Sequence, residues 1–402
     1  MRRVRRPIKQ EINLPAPHIN QVQVIASGER YRLVVCGRRW GKTVVGQIEI
    51  ANAALDGKAC WWVAPTYNMA EHVWRELKSA SRDLPVTVSE RLRRLDFPGG
   101  GWIAIKSAHT PDNLRGAGLD FVVLDEAAFM EPAIWPQIIR PMLLDKQGHA
   151  LFLSSPHGKN WFWENFTRAT TTPNWDRFQY TSYDNPLIDP AELDAIRLST
   201  PDRIWQEEYM ARFTDDSGQV FRGLAEATTA PLHAQPSGQR CVFGVDWGRE
   251  NDYTAIVVMD AVTRHVLAYD HFNQVSWSLQ RGRLRALYDR WQPSVIYAES
   301  NSIGAPNIEA LQQEGLPIRP FATTAASKPA LIEALALAIE RREIALIPGQ
   351  TLIDELANYR MERLPAGGYR YAAPSGLHDD LVIALALAYH ATRYATPSIS
   401  FA

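Results

Sequence analysis

Cysteine is scarce in this 402-residue chain, with Cys36, Cys60 and Cys241 the only three. Their odd number and wide separation exclude a disulfide framework and a zinc site. They read as reduced thiols in a cytosol-like compartment. Long hydrophobic runs are missing too: no stretch of about 18 uncharged apolar residues occurs, so no membrane span is expected. The basic start, Met1-Arg-Arg-Val-Arg-Arg6, is followed by no apolar h-region and does not read as a secretory signal. Nor does one sign of charge dominate, since 43 Lys and Arg face 44 Asp and Glu. That balance argues against a wholly basic nucleic-acid coat and leaves room for a local basic groove. Repeats and low-complexity tracts are absent. With 46% apolar and 22% charged residues, the composition is that of folded protein.

At about 150 residues per domain, the length predicts two or three domains. Turn formers and small polar residues gather between Thr214 and Arg240, so residues 215–240 read as a linker between domains at 1–214 and 241–402. Before it, the short apolar runs Arg32–Cys36, Ala59–Ala64, Phe121–Leu124 and Ala150–Leu153 alternate with helix-like stretches. That pattern predicts a parallel sheet covered on both faces. After it, Cys241–Val245, Thr254–Met259 and His265–Phe272 follow with short gaps, as in an antiparallel meander. A further strand is expected at Ser294–Ala298, with helices at Leu279–Arg290, Pro329–Arg342 and Leu381–Tyr389. The second domain is therefore expected to be a mixed sheet with helices.

The first strand runs into Gly37-Arg38-Arg39-Trp40-Gly41-Lys42-Thr43 and then a helix-like stretch. In a phosphate-binding loop, backbone N–H groups cradle the phosphates, the lysine reaches the β and γ phosphates, and the hydroxyl binds Mg²⁺. Here those roles fall to Gly37, Arg39, Gly41, Lys42 and Thr43, although Cys36 stands where the first glycine of the pattern belongs. Phe121-Val-Val-Leu-Asp125-Glu126 places two acids at the carboxyl end of a buried strand. Asp125 would serve the Mg²⁺, and Glu126 would orient and deprotonate the attacking water. An Asp-Glu pair after a strand is commonplace alone and becomes specific beside the loop. Arg38 and Arg115 are both candidates for the positive charge that the γ phosphate needs.

A second set of acids follows. Asp246 ends one apolar strand, with Asp252 six residues on; Glu299 ends another; Asp379 and Asp380 open the last helix. Carboxylates converging in this way repel one another unless a cation neutralises them, and all-oxygen ligands suit Mg²⁺ or Mn²⁺. Two such ions would support phosphodiester hydrolysis. Taken singly, Asp246 or Glu299 reads better as an unrelated cap or surface charge, and Asp379-Asp380 alone reads as an N-cap pair.

Together these motifs resemble the large terminase subunit of tailed bacteriophages, from about His18 to His390. Carrying the resemblance are Gln21, Cys36–Thr43, Ala64-Pro-Thr-Tyr67, Asn113-Leu-Arg-Gly116, Leu124-Asp-Glu-Ala127, Leu153–Asn160, Gly244–Gly248, Tyr297-Ala-Glu-Ser-Asn301 and His378-Asp-Asp380. It implies an α/β protein with an ASCE-type ATPase core followed by an RNase H-like nuclease. By the same resemblance Gln21 would sense adenine, and Ser154, Ser155 and Pro156 would lie in a coupling motif. Arg38 would act in cis, and Arg115 on a neighbouring subunit of a ring. Asp246, Glu299 and Asp380 match the core metal ligands, Asp252 and Asp379 less uniform positions. ATP, double-stranded DNA, a portal protein on a procapsid and a small terminase subunit are the implied cofactor and partners, in the host cytoplasm. A helicase or repair translocase with a nucleic-acid-gripping second domain is the alternative, and a structural capsid or scaffold protein would explain neither motif. Contacts to DNA should go mainly to phosphate, with Arg2–Lys9 and Arg281, Arg283, Arg285 and Arg290 as basic candidates.

Overall fold

The computed structural model describes residues 12–114, 116, 118–214, 218–232, 240–248, 252–301, 304–364 and 368–394. Arg115, the basic segment Arg2–Lys9 and residues 233–239 lie outside them. The described residues fall into two compact units, one of 12–198 and 202–214, the other of 218–364 and 368–394 with 199–201.

Eight strands form the first unit's sheet: β1 (Tyr31–Cys36), β2 (Ala59–Ala64), β3 (Thr87–Ser89), β4 (Arg94–Asp96), β5 (Trp102–Ser107), β6 (Phe121–Asp125), β7 (His149–Ser154) and β8 (Trp175–Tyr180). Their order is β3-β4-β5-β2-β6-β7-β1-β8. The six strands from β5 to β8 in that order are parallel, and β3 and β4 add an antiparallel edge. Side chains alternate between two cores, as strand geometry requires. Leu33, Val35, Val122, Leu124 and Phe152 face one core with Ile138 and Phe162. Val34, Cys36, Val123, Leu151 and Leu153 face the other with Val45 and Ile50 of the helix Lys42–Leu55. Covering both faces makes the strands continuous apolar runs. The order puts β7 between β1 and β6, so three strand ends that carry chemistry lie side by side.

In the second unit β9 (Cys241–Asp246), β10 (Thr254–Asp260) and β11 (Val266–Phe272) form the expected meander, while β12 (Val295–Glu299) and β13 (Ile318–Phe321) run parallel to β9. The order is β11-β10-β9-β12-β13, and a hairpin of β14 (Arg360–Arg363) and β15 (Tyr369–Ala372) stands apart. The helix Asp380–Thr392 presses directly onto β9. A Cβ on Gly244 would sit 1.9 Å from Ala384 O and 2.3 Å from Ala388 N, so only glycine allows this approach. All but one of that helix's residues are buried, which explains why it is apolar all round. Residues 218–232, inside the expected linker, are packed in this unit. Phe221 is fully buried and stacks on Tyr359, and Val220 N–H donates to Tyr359 O at 3.2 Å. The tightly turned sequence there disguises a buried strap. Among the described residues no helix is long and apolar enough to cross a membrane.

Candidate functional sites

The loop after β1 is held in shape from below. Gly37 has no room for a side chain: a Cβ would lie 2.4 Å from Tyr209 O and 2.6 Å from Ser182 Oγ. Arg39 (φ 62°) and Gly41 (φ 101°) take left-handed backbone, turning the chain into the helix that begins at Lys42. Ser182 Oγ donates to Arg38 O and Asn185 Nδ2 to Arg39 O, both at 2.7 Å. Trp40 is fully buried, stacked on Tyr180 at 4.9 Å with His18 edge-on at 5.2 Å. This anchor escaped sequence reasoning because its partners lie far along the chain. The Arg38 guanidinium pairs with the buried Glu208 carboxylate, and the Arg38 backbone N–H donates to Glu208 O.

Gln21 is also buried. Its Nε2 donates to Gly41 O at 3.0 Å and its Oε1 accepts from His18 N–H at 2.9 Å. Both ends of the amide thus engage protein, tying the helix Ile19–Ala26 to the loop. Lys42 Nζ reaches back to Cys36 O at 3.3 Å, and Thr43 is the second residue of the following helix.

Asp125 and Glu126 stand across the strand ends from this loop. Burial pushes the Asp125 carboxyl above the usual range, Glu126 adds repulsion, and the Lys42 ammonium opposes both. Glu126 has left-handed backbone (φ 50°), uncommon for a glutamate. Its Oε2 accepts long hydrogen bonds from Ser154 Oγ (3.4 Å) and Ser155 Oγ (3.5 Å) at the end of β7, and Ser154 Oγ also accepts Ala128 N–H. The serines between the two strands therefore hold the acid.

In the second unit Asp246 ends β9 and Glu299 ends the adjacent β12, while Asp380 opens the helix that covers β9. The Asp246 carboxyl is driven well up by burial, by its hydrogen bond with Glu299 and by repulsion from Glu299, Asp380 and Asp379. Asp380 is pushed up to about 6 by burial, with repulsion from Asp379 and Asp252 outweighed in part by Tyr253 N–H, which donates to Oδ2 at 3.3 Å. Asn301 Nδ2 donates to Glu299 Oε1 at 2.9 Å, and Lys328 Nζ meets Asp379 Oδ2 at 3.4 Å. His378 Nδ1 lies 3.6 Å from Asp380 Oδ2. Among the described residues, no three acidic, imidazole or thiol groups close into a finished metal cage. What is present is a set of mutually repelling carboxylates, with Asp246 and Asp380 buried and Glu299 and Asp379 half-buried, and that donor chemistry fits a hard divalent ion. Sequence reasoning missed Lys328, Tyr253 and the buried Glu355, none of which belongs to a motif.

A phosphate-loop α/β core followed in one chain by a mixed-sheet unit with clustered acids defines an ATPase joined to an RNase H-like nuclease. Residues 33–228 match the family model for the terminase large subunit, T4likevirus-type, N-terminal, and residues 243–392 that for the terminase RNaseH-like domain. The large terminase subunit of Thermus virus P23-45 is 31% identical over 93% of this chain and 87% of its own. A large terminase from a thermophilic bacteriophage shares the fold with a TM-score of 0.53 at 15% identity, covering 92% of this chain and 98% of that one. The large terminase nuclease of phage G20c, solved with bound magnesium, matches at 28% identity and a TM-score of 0.41 over 44% of this chain and 98% of that one. The chain belongs to the large terminase subunits of tailed phages, the DNA-packaging ATPase and nuclease. Family membership sets aside both the repair-translocase and the scaffold readings.

Proposed function

We propose that the first unit hydrolyses ATP with the residues named above and uses the energy to move double-stranded DNA. The observation behind this reading is the adjacency of β1, β7 and β6, which brings Lys42, Ser154–Ser155 and Asp125–Glu126 to one sheet edge. Loop N–H groups and Lys42 bind the β and γ phosphates. Glu126, steadied by the serines, takes the proton of the water that attacks the γ phosphorus as the bond to the β-γ bridging oxygen breaks. Arg38, released from Glu208, or Arg115 from a neighbouring subunit, offsets the charge on the transferring group. Thr43 and Asp125 would hold Mg²⁺, which when bound neutralises phosphate charge. Gln21 positions the loop and, with that contact exchanged, meets adenine.

The second unit cuts DNA. Asp246, Glu299 and Asp380 would hold Mg²⁺ or Mn²⁺, with Asp252 and Asp379 beside them, and the ions when bound activate water and stabilise the leaving 3′ oxygen. Lys328 and Asn301 orient the acids. The chain acts as a ring of copies on a portal protein of a procapsid, with a small terminase subunit, in the host cytoplasm. Residues 1–214 make up the motor and 241–402 the nuclease. Glu126→Ala should lose ATP turnover by about 100-fold or more, and Asp246→Ala should fail to nick plasmid in Mn²⁺. Full turnover in the first or wild-type nicking in the second overturns the corresponding assignment.

A further inference from the structure

The helix Asp380–Thr392 has an acid at its N-cap that does not cap it. Asp379 makes no side-chain bond to the first-turn amides, although Asp is among the residues best suited to do so; its Oδ2 meets Lys328 instead. Those amides have no partner within the helix and need acceptors from elsewhere when buried. The acceptor comes from another helix. Glu355, on Gln350–Asn358 and only 8% exposed, accepts Leu381 N–H through Oε2 at 2.8 Å. Its Oε1 lies 3.4 Å from His271 Nε2. The His271 ring stacks on Tyr253 at 4.1 Å and 13°, and the Tyr253 N–H is the donor to Asp380. Glu355 thus reaches the Asp380 turn through the helix backbone, and the His271–Tyr253 stack lies beside it, with no hydrogen bond to His271 Nε2.

Burying a third carboxylate next to Asp379 and Asp380 is unfavourable on charge grounds alone. Burial and that repulsion push Glu355 up to about 7. A helix that needed only a cap would use Asp379. We propose that Glu355 is a positioning residue of the nuclease: it takes over the capping of the helix Asp380–Thr392, so that neither Asp379 nor Asp380 is drawn onto the first-turn amides and both stay available to a divalent cation. The inference rests on the nuclease reading of Asp246, Glu299 and Asp380.

The full-length protein, Glu355→Ala, Glu355→Gln and Asp246→Ala separate the possibilities. Amide hydrogen exchange at Leu381 is measured without metal, Mn²⁺ affinity by the electron paramagnetic resonance of free Mn²⁺, nicking on plasmid, and ATP turnover as a control. Glu355→Ala should speed Leu381 exchange about tenfold and weaken Mn²⁺ binding about tenfold, with ATP turnover unchanged. Glu355→Gln, which keeps a carbonyl acceptor, should restore both to within about threefold of wild type. Glu355→Met, similar in length and lacking an acceptor, takes the place of the alanine variant if that does not fold. Wild-type exchange and Mn²⁺ affinity in Glu355→Ala or Glu355→Met overturn the proposal. So does a Glu355→Gln protein as inactive as Asp246→Ala with Leu381 still protected, because the charge itself would then be acting at the reacting centre. Equal nicking by wild type and Asp246→Ala would instead remove the nuclease reading, and Leu381 exchange would still report on the contact.

Discussion

Gly37 shows how little slack the phosphate loop has. Two of the atoms that a Cβ would strike belong to the backbone, Tyr209 O at 2.4 Å and Ser182 N at 2.7 Å, and cannot rotate away. Gly37→Ala should therefore displace the loop by a fraction of an ångström to an ångström, enough for a loss in ATP turnover of about 100-fold. Steady-state ATPase assays test this, and turnover within a few-fold of wild type would show that the loop can relocate. The three cysteines give a second prediction at this scale. All are buried, and burial pushes Cys60 up to about 12 and Cys241 up to about 11, with Cys36 raised as well. Thiolate is the reactive form, so the native protein should leave thiol reagents unconsumed until denaturant is added. Labelling of any cysteine in the folded protein would contradict the packing. Lys42, Thr43, Asp125 and Glu126 stand out in the sequence as candidates because the chemistry proposed for them demands a fixed local spacing. Ser182, Asn185, Glu208 and Trp40 do not, because what matters about them is a contact across roughly 140 to 170 residues of chain.

Among elements, the helix Asp380–Thr392 approaches β9 so closely that no side chain fits at Gly244. Gly244→Ala adds a single methyl to a place with no room for it, and overpacking typically costs about 1–3 kcal/mol, more where backbone is struck. A lower thermal midpoint for the second unit, with ATP turnover retained, is the expected result by calorimetry and enzyme assay. An unchanged midpoint would mean that the helix can lift. Strands buried on both faces, β1, β2, β6, β7 and β9 among them, were readable as apolar runs. The edge strand β8 was not: Trp175, Asp176, Arg177, Phe178, Gln179 and Tyr180 mix polar and aromatic residues because part of the strand remains exposed. The strap at 218–232 was hidden for a different reason. Turn-rich sequence looks the same whether it crosses open solvent or, like Phe221, fills a pocket.

For the molecule as a whole, two sets of chemistry reside on two separately built sheets, and each should survive loss of the other. Lys42→Ala should abolish ATP turnover and leave Mn²⁺-dependent plasmid nicking within about threefold of wild type, the range expected where two sites act independently. Measuring both activities in one preparation checks this, and a nicking defect as deep as the ATPase defect would show that the two are obligately linked. The near-neutral total charge, which first argued against a basic coat, includes 44 acids, of which only the few named above belong to the two proposed cation sites.

The position of Asp380 on a helix that closes over β9 has a consequence for biosynthesis. Glu299 and Asp380 are separated by about 80 residues, which a ribosome adding about 5–20 residues per second needs roughly 4 to 16 s to join. Every acid of the ATPase site has been made well before then. A growing chain therefore acquires its ATPase unit first, and it cannot bring Asp380 to Asp246 and Glu299, the proposed cutting group, until the helix Asp380–Thr392 has emerged and docked. During that interval the apolar face of β9 stands bare, which marks it as a place where a chaperone would bind and where unassisted chains would aggregate.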